Sequence, residues 1–222
     1  MSPSPALRAV LFDWDGTLVD TAEASYRCYV KLFGSYSIPF DRDAFQRTYS
    51  PNWHLTYAAL GLPRDRWDDA DARWLEHYCQ EDVVLIDGAR AALARVRAAG
   101  LAAGLVTSGD RVRVSRELVA LEVASVFHVV VCAEDIVNRK PHPEALLLAL
   151  ERLEVRPAEA AYVGDSPEDM RMAQAAGVFT VGIPGGFPNR AALAASAPDV
   201  MAPSVAAAVE GLLAVRAAGR AS

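Results

Sequence analysis

Three aspartates, Asp13, Asp15 and Asp165, lie just after short apolar runs that have the composition of buried β-strands. In an open α/β sheet, the carboxyl ends of the strands form the crevice that binds ligands, so these side chains should meet there. Three adjacent carboxylates repel each other strongly unless a cation lies between them. Hard oxygen ligands at an open site indicate Mg²⁺. Taken alone, Asp13 and Asp15 fit a turn with two solvated acids equally well.

Two further stretches at predicted strand ends carry groups suited to phosphate. Thr107 and Ser108 precede Gly109, so hydroxyl and backbone N–H groups can face an anion, although the same residues could cap the following helix. Lys140 precedes Pro141, which restrains it to an extended backbone and so fixes the direction of its ammonium. Lys140 is one of only two lysines among 22 cationic residues, which argues mildly against an ordinary surface role. A compact ammonium is suited to bridging a carboxylate and a phosphoryl oxygen.

The residues that follow Asp165 have a structural explanation of their own. Ser166 as N-cap, Pro167 at the first helical position and Asp169 three residues after the cap predict a helix start that resembles a capping box. This start accounts for Glu168 and Asp169 without any chemistry. Asp165 precedes the cap, and the helix does not explain it.

Helices and strands alternate from residue 87 onward, which predicts an α/β fold: a Rossmann-like parallel sheet with helices on both faces. The predicted strands after the first are 101–107, 126–132, 160–164 and 178–183, with a possible edge strand within 198–203. The predicted helices are 88–99, 111–122, 143–153, 167–176 and 204–217.

Residues 17–86 have a different character, rich in Tyr, Trp, Asp and Arg and without a clear buried strand. Helices are predicted there at 21–33, 41–49, 52–60 and 64–81. The aromatic residues of the last helix recur at helical spacing and are interpreted as core rather than ligand contacts. We therefore predict an inserted all-α cap, 17–86, on a catalytic core formed by 1–16 and 87–222.

Composition narrows the possible partners and cellular location. The chain of 222 residues has a net charge of −6, and its densest basic group, Arg111, Arg113 and Arg116, is interpreted as decorating a helix, so nucleic acid is not expected as a partner. Three cysteines without CxxC pairing suggest neither a disulfide framework nor a zinc site. Because no run of 18 apolar residues occurs, we expect no membrane association. The cysteine pattern fits a reducing cytoplasm, where we expect the protein to be located. We also expect a monomer or homodimer.

Four motifs occur in order along the chain: DWDGT from Asp13, an apolar run ending in Thr107 and Ser108, Lys140-Pro141, and GDSPED at 164–169. Together they resemble the four motifs of the haloacid dehalogenase-like hydrolase superfamily, over nearly the whole chain. The insertion after the first motif resembles the helical cap of the subfamily that includes phosphoglycolate phosphatase and β-phosphoglucomutase. Ser108 departs from the pattern, because Asn is frequent at that position.

This resemblance implies a Mg²⁺-dependent phosphatase that hydrolyses a small phosphorylated metabolite through an aspartyl-phosphate intermediate. Asp13 would be the nucleophile, and Asp15 would protonate the leaving oxygen and then activate water. Lys140 would neutralise charge and, with Thr107 and Ser108, hold the phosphoryl oxygens.

The resemblance also implies how the metal is bound. Mg²⁺ would take the Asp13 side chain, the Asp15 backbone carbonyl and Asp165 as ligands. Asp169 would act as an indirect ligand or as a support for Lys140.

Several alternatives remain at this point. Asp15 disfavours a dehalogenase, which needs neither a metal nor a leaving-group acid, and a signalling receiver lacks both this acid and a helical insertion. A non-catalytic binding protein is improbable with all four motifs intact. A phosphomutase of the β-phosphoglucomutase type stays open as the alternative to a hydrolase.

The cap segment 49–62 is predicted to choose the substrate, because turn-forming residues bound it and polar groups lie between them. An ordinary helix surface explains each candidate equally well. The specificity candidates are Arg47, Asn52, Trp53, His54 and Arg64.

Overall fold

A six-stranded parallel sheet forms the centre of the protein. The computed structural model describes residues 7–50, 52–79 and 81–220 of the chain. The strands, in spatial order, are β5 (Val129–Val131), β4 (Ala102–Val106), β1 (Ala9–Phe12), β6 (Ala160–Gly164), β7 (Phe179–Gly182) and β8 (Val200–Met201). β1 pairs in parallel with β4 and β6 over all of its residues. The residues that follow these three strands therefore meet at one edge of the sheet.

Helices cover both faces of this sheet, as the alternating pattern predicted. Alternate side chains of β1 point to opposite faces, so Val10 and Phe12 join one buried apolar cluster and Ala9 and Leu11 join another. The first cluster packs against α5 (Ala89–Ala98), α6 (Arg111–Ala120) and α10 (Val205–Arg220). The second packs against α7 (Glu144–Leu153), α8 (Pro167–Ala175) and α9 (Arg190–Ala195).

Four helices lie between β1 and α5: α1 (Ala22–Ser35), α2 (Arg42–Thr48), α3 (Trp53–Ala59) and α4 (Trp67–Tyr78). They enclose a further apolar cluster, in which aromatic rings dominate and which Phe187 joins from the core. The rings of Phe33 and Phe40 lie 4.9 Å apart, and those of Phe33 and Tyr57 meet edge to face. A separate core supports the prediction of a helical cap, and its boundaries at residues 16/17 and 86/87 stay a prediction.

The structure differs from the expected elements mainly in short pieces. An antiparallel ribbon, β2 (Val19–Asp20) with β3 (Val84–Leu85), flanks the helical insertion, and α9 was not predicted. Two-residue strands and a six-residue helix show too little periodicity for a pattern to detect. The predicted helix 64–81 begins with a 3-10 turn, and residue 80 lies outside the described ranges, as does Pro51 of the turn before α3.

Candidate active site

The ends of three neighbouring strands bring Asp13, Thr107 and Asp165 to one edge of the sheet. The backbone N–H of Asp13 still donates to Val163 of β6, at 3.0 Å, so Asp13 continues the line of β1. All three side chains are buried. Carboxylate oxygens of Asp13, Asp165 and Asp169 lie within 4.8 Å of one another. Of the three acids predicted to converge, Asp13 and Asp165 do so and Asp169 joins them, whereas the Asp15 carboxylate is bound by Arg113 instead.

Lys140 lies inside this acidic cluster. Its Nζ lies 2.6 Å from Asp13 Oδ1, 2.7 Å from Asp169 Oδ1, 2.9 Å from the Tyr162 hydroxyl and 3.0 Å from the Val106 carbonyl, four acceptors that share its three N–H donors. Burial lowers the pKa of Lys140, but the two carboxylates outweigh burial, so the net pKa is raised. Lys140 is a fixed buried cation, not a surface lysine.

Asp169 has two functions in the structure. As the third helical residue of α8 it completes a capping box: its Oδ2 accepts from the Ser166 N–H at 3.1 Å, and its own N–H donates to Ser166 Oγ at 3.1 Å. Its second oxygen accepts from Lys140. The predicted helix start is confirmed, and the same side chain also contacts the lysine.

Asp165 has the features of a metal ligand. Its Oδ2 is buried and has no hydrogen-bond partner within the described part of the chain. Burial, followed by the nearby charge of Asp13, holds the pKa of Asp165 well above its usual range, and burial also raises that of Asp13. A divalent cation would relieve both effects, and carboxylate oxygens are the ligands that hard cations prefer. The residues present therefore fit a magnesium site.

Glycine is required beside Asp165 for steric reasons. A Cβ atom added at Gly16 or Gly185 would overlap the Asp165 carboxylate, and Gly16 also has a φ of +81°, which L-residues rarely adopt. The backbone can approach the carboxylate only because these positions lack side chains. Gly16 of the first motif thus allows both the turn and the close approach of the backbone to the Asp165 carboxylate.

Thr107 and Ser108 do not cap the helix that follows them. The N-cap of α6 is Asp110, whose side chain accepts from the Arg113 N–H at 2.8 Å. Thr107 Oγ1 instead accepts from the Gly109 N–H at 2.9 Å, which folds the loop back on itself. Both residues line a cavity together with Asp13 and Lys140. This placement favours a role in anion binding over the helix cap considered from sequence.

The interpretation of Arg113 as a residue on the exposed surface of a helix is wrong. Arg113 is 5% exposed, and its guanidinium holds both carboxylate oxygens of Asp15, at 2.7 and 2.9 Å. The guanidinium also lies 3.3 Å from Glu117 and over the ring of Tyr78 at the end of α4. Glu117 in turn accepts a hydrogen bond from Trp14 Nε1 at 2.6 Å. The alternating Arg and Val residues gave no indication of which arginine faces the protein. The spacing of four between Arg113 and Glu117 was the available signal.

Replacing Arg113 with Met is expected to lower the free energy of unfolding by about 3–5 kcal/mol, because it leaves Glu117 as a buried charge without its cation. Adding Glu117→Gln should restore much of this loss, since an amide oxygen can still accept from Trp14. Urea denaturation measures both changes. Arg116→Met, on the same helix but exposed, is the matched control and should shift stability by less than about 1 kcal/mol. A loss for Arg113→Met no larger than for this control would contradict the prediction.

A cavity of about 450 Å³ separates the acidic cluster from the helical insertion. Of the five specificity candidates, Trp53 lines it; Arg47, Asn52, His54 and Arg64 are not among the described lining residues. His54 Nε2 lies 3.1 Å from Asp71, behind the wall. The structure thus places one of the five candidates at the cavity and the other four outside its described lining, and the role of Trp53 in specificity stays a prediction.

Most of the residues of the insertion that line the cavity were not predicted from the sequence. Trp74 belongs to the aromatic stripe that was interpreted as core, and it both packs in the core of the insertion and lines the cavity. Asp71 lies one helical turn earlier on the same face, a spacing of three that could have identified it. The further lining residues from the insertion are Ser25, Tyr29, Tyr49, Ser50, Tyr57 and Leu75.

Comparison with known proteins agrees with this geometry. Residues 10–183 match the family model described as haloacid dehalogenase-like hydrolase. The chain belongs to this family. It is 35% identical over 204 residues to a phosphoglycolate phosphatase of Yersinia pseudotuberculosis, covering 87% of this chain and 88% of the relative. It is 31% identical over 227 residues to the phosphoglycolate phosphatase of Escherichia coli, covering 90% of each chain.

A solved structure confirms the fold of this family member. CbbY from Rhodobacter sphaeroides, in complex with phosphate, superposes with a TM-score of 0.78 at 24% identity and covers 93% of this chain and 99% of its own. The relatives make this haloacid dehalogenase-like protein a phosphoric monoester hydrolase whose substrate is a small phosphorylated compound. Within the described ranges, no helix combines the length and apolarity needed to cross a bilayer.

Proposed function

We propose that this hydrolase transfers the phosphoryl group of a small metabolite first to Asp13 and then to water, with Mg²⁺ as its cofactor. One observation carries the proposal: the buried Asp13 carboxylate lies 2.6 Å from Lys140 Nζ, in a cluster where a buried Asp165 oxygen has no partner among the described residues. Lys140 and a metal ion would then neutralise an anionic nucleophile that approaches an anionic ester.

In the first step, a carboxylate oxygen of Asp13 forms a bond to phosphorus while the bond to the leaving oxygen breaks. Lys140 orients Asp13 through the bond to Oδ1 and offers positive charge to the phosphoryl oxygens. Thr107, Ser108 and the backbone N–H groups of their loop would hold the same oxygens. A Mg²⁺ ion held by Asp13, Asp165 and the Asp15 carbonyl would supply additional charge stabilisation.

Asp15 is proposed to move protons in both steps. It would give a proton to the leaving oxygen and later take one from the water that attacks the acyl phosphate. In the structure its carboxylate accepts both bonds from Arg113, and 29% of the side chain is exposed. Asp15 lines the cavity, which supports this role, and Arg113 fixes the position of its carboxylate.

Hydrolysis is favoured over mutase activity by the relatives. The two relatives from Yersinia pseudotuberculosis and Escherichia coli, which are 35% and 31% identical to this chain, are both named as phosphatases. A mutase would return the phosphoryl group to the sugar rather than to water, so release of inorganic phosphate separates the two activities. A screen of phosphorylated metabolites with Mg²⁺, read out as free phosphate, tests the proposed function.

Removal of the metal provides a second test. Chelation by EDTA should lower phosphate release by more than about 100-fold, and added Mg²⁺ should restore it. Because Mg²⁺ would bind only the folded protein, at about 100 times its dissociation constant it should stabilise the fold by roughly 2.7 kcal/mol in a thermal melt. Asp165→Asn should abolish this stabilisation, whereas Asp43→Asn, on the exposed side of α2, should retain it. Full activity in metal-free buffer would contradict the assignment of Mg²⁺.

A further inference from the structure

Arg139 differs from the other cationic residues that line the cavity, Arg113 and Lys140. Lys140 is paired with Asp13 and Asp169, and Arg113 is paired with Asp15 and Glu117. No acid of the described residues lies within ion-pair distance of the Arg139 guanidinium, which is exposed at the cavity wall. Among the described residues, the cavity therefore presents one cation without an anionic partner.

The Arg139 guanidinium lies over a fixed aromatic ring. Its central carbon is 4.6 Å from the centroid of the Trp53 ring, across the boundary between the core and the helical insertion. Trp53 is held in turn by its Nε1, which donates to Asp71 at 2.8 Å. A guanidinium that stacks on a ring uses its face and leaves the N–H donors at its edge available. Such an edge fits two oxygens of a carboxylate or of a phosphate.

The acids on the same wall are already bound by donors. Asp71 accepts from Trp53 and faces His54, and both oxygens of Glu134 lie within 3.1 Å of the Arg111 N–H. Neither carboxylate neutralises Arg139. An anionic group on a ligand would therefore find its counterion at Arg139.

We propose that Arg139 is a specificity-determining residue that binds a second anionic group, a carboxylate or a phosphate, on the leaving-group side of the substrate. The inference rests on the proposed phosphatase function, since Lys140, the next residue, contacts Asp13. One small molecule could therefore place its phosphoryl group at Asp13 and its second anion at Arg139.

The test compares phosphate release from four esters of matched size in the presence of Mg²⁺. They share a two-carbon backbone whose second carbon either is a carboxylate (phosphoglycolate) or bears a hydroxyl (2-hydroxyethyl phosphate), an ammonium (2-aminoethyl phosphate) or a second phosphate (ethylene glycol bisphosphate). Their three-carbon homologues extend the reach. The wild type should prefer one or both anionic esters over the hydroxyl ester by about tenfold or more in kcat/KM, and the ester it favours separates carboxylate from phosphate.

Arg139→Gln should remove this preference. It is expected to lower kcat/KM about tenfold or more for the anionic esters and less than about threefold for the hydroxyl ester, and Arg139→Lys should recover part of the difference because it keeps the charge but not the fork. The matched control is Arg42→Gln, because Arg42 also lies over a ring, that of Tyr26, but outside the cavity. This variant should keep the wild-type ratio.

Three results overturn the assignment of Arg139: a preference for the ammonium ester, no preference by charge, or an equal loss on all esters in Arg139→Gln. Each of these leaves the phosphatase mechanism intact, because hydrolysis would still be observed. No phosphate release from any of the esters, nor from an aryl phosphate, would instead overturn the proposed function.

Discussion

Asp13→Asn is expected to lower kcat by about 10⁴-fold or more while the protein stays folded. The amide is nearly isosteric with the carboxylate but is not a nucleophile, so no phosphoryl group can be transferred to it. Steady-state phosphate release measures the loss, and denaturation curves verify the fold. The exposed Asp43→Asn variant is the control for a loss of one negative charge, and its activity should match the wild type.

The structure explains why this substitution should not unfold the protein. Lys140 would lose one carboxylate but keep Asp169, the Tyr162 hydroxyl and the Val106 carbonyl as acceptors. The buried ammonium therefore remains paired. The substitution also removes a negative charge that burial and the neighbouring acids make unfavourable at this position. A folded Asp13→Asn protein with wild-type activity would refute the assignment of the nucleophile.

Asp15→Asn is expected to slow the two chemical steps to different extents on different esters. With an alkyl ester, whose leaving oxygen needs a proton, phosphorylation of Asp13 should slow by about 10²–10⁴-fold. With an aryl ester, whose leaving oxygen needs little protonation, this step should slow far less. Hydrolysis of the acyl phosphate should be impaired in both cases, so the aryl ester should give a burst of about one equivalent of phenol before slow turnover.

The fold should tolerate Asp15→Asn because Arg113 keeps Glu117 as a partner and an amide oxygen can still accept one bond. Rapid-quench measurements of a single turnover on matched alkyl and aryl esters separate the steps, with Asp43→Asn again as the control. An equal loss of the phosphorylation rate on both esters would show that Asp15 does not act as the acid. Wild-type rates on both would exclude any role in proton transfer.

The strand pattern of the sequence was sufficient to predict the core and the edge of the sheet that carries the candidate site. Parallel strands buried on both faces show as apolar runs, and polar residues that follow such runs must meet at the same edge. Asp13, Thr107 and Asp165 are found there for that reason. The start of α8 was equally predictable, because Ser166 and Asp169 interact over only three residues. Local spacing was sufficient in each case.

Contacts between residues far apart in the chain could not be predicted in this way and depend on tertiary packing. Arg113 and Asp15 are 98 residues apart, and alternating Arg and Val residues do not show which face of α6 is covered. The cavity wall depends likewise on how the helical insertion lies on the sheet, which brings Trp53 to Arg139 and leaves Arg47 outside. Periodicity gives the buried face of one element, but the partner of that face is fixed by packing between elements distant in sequence.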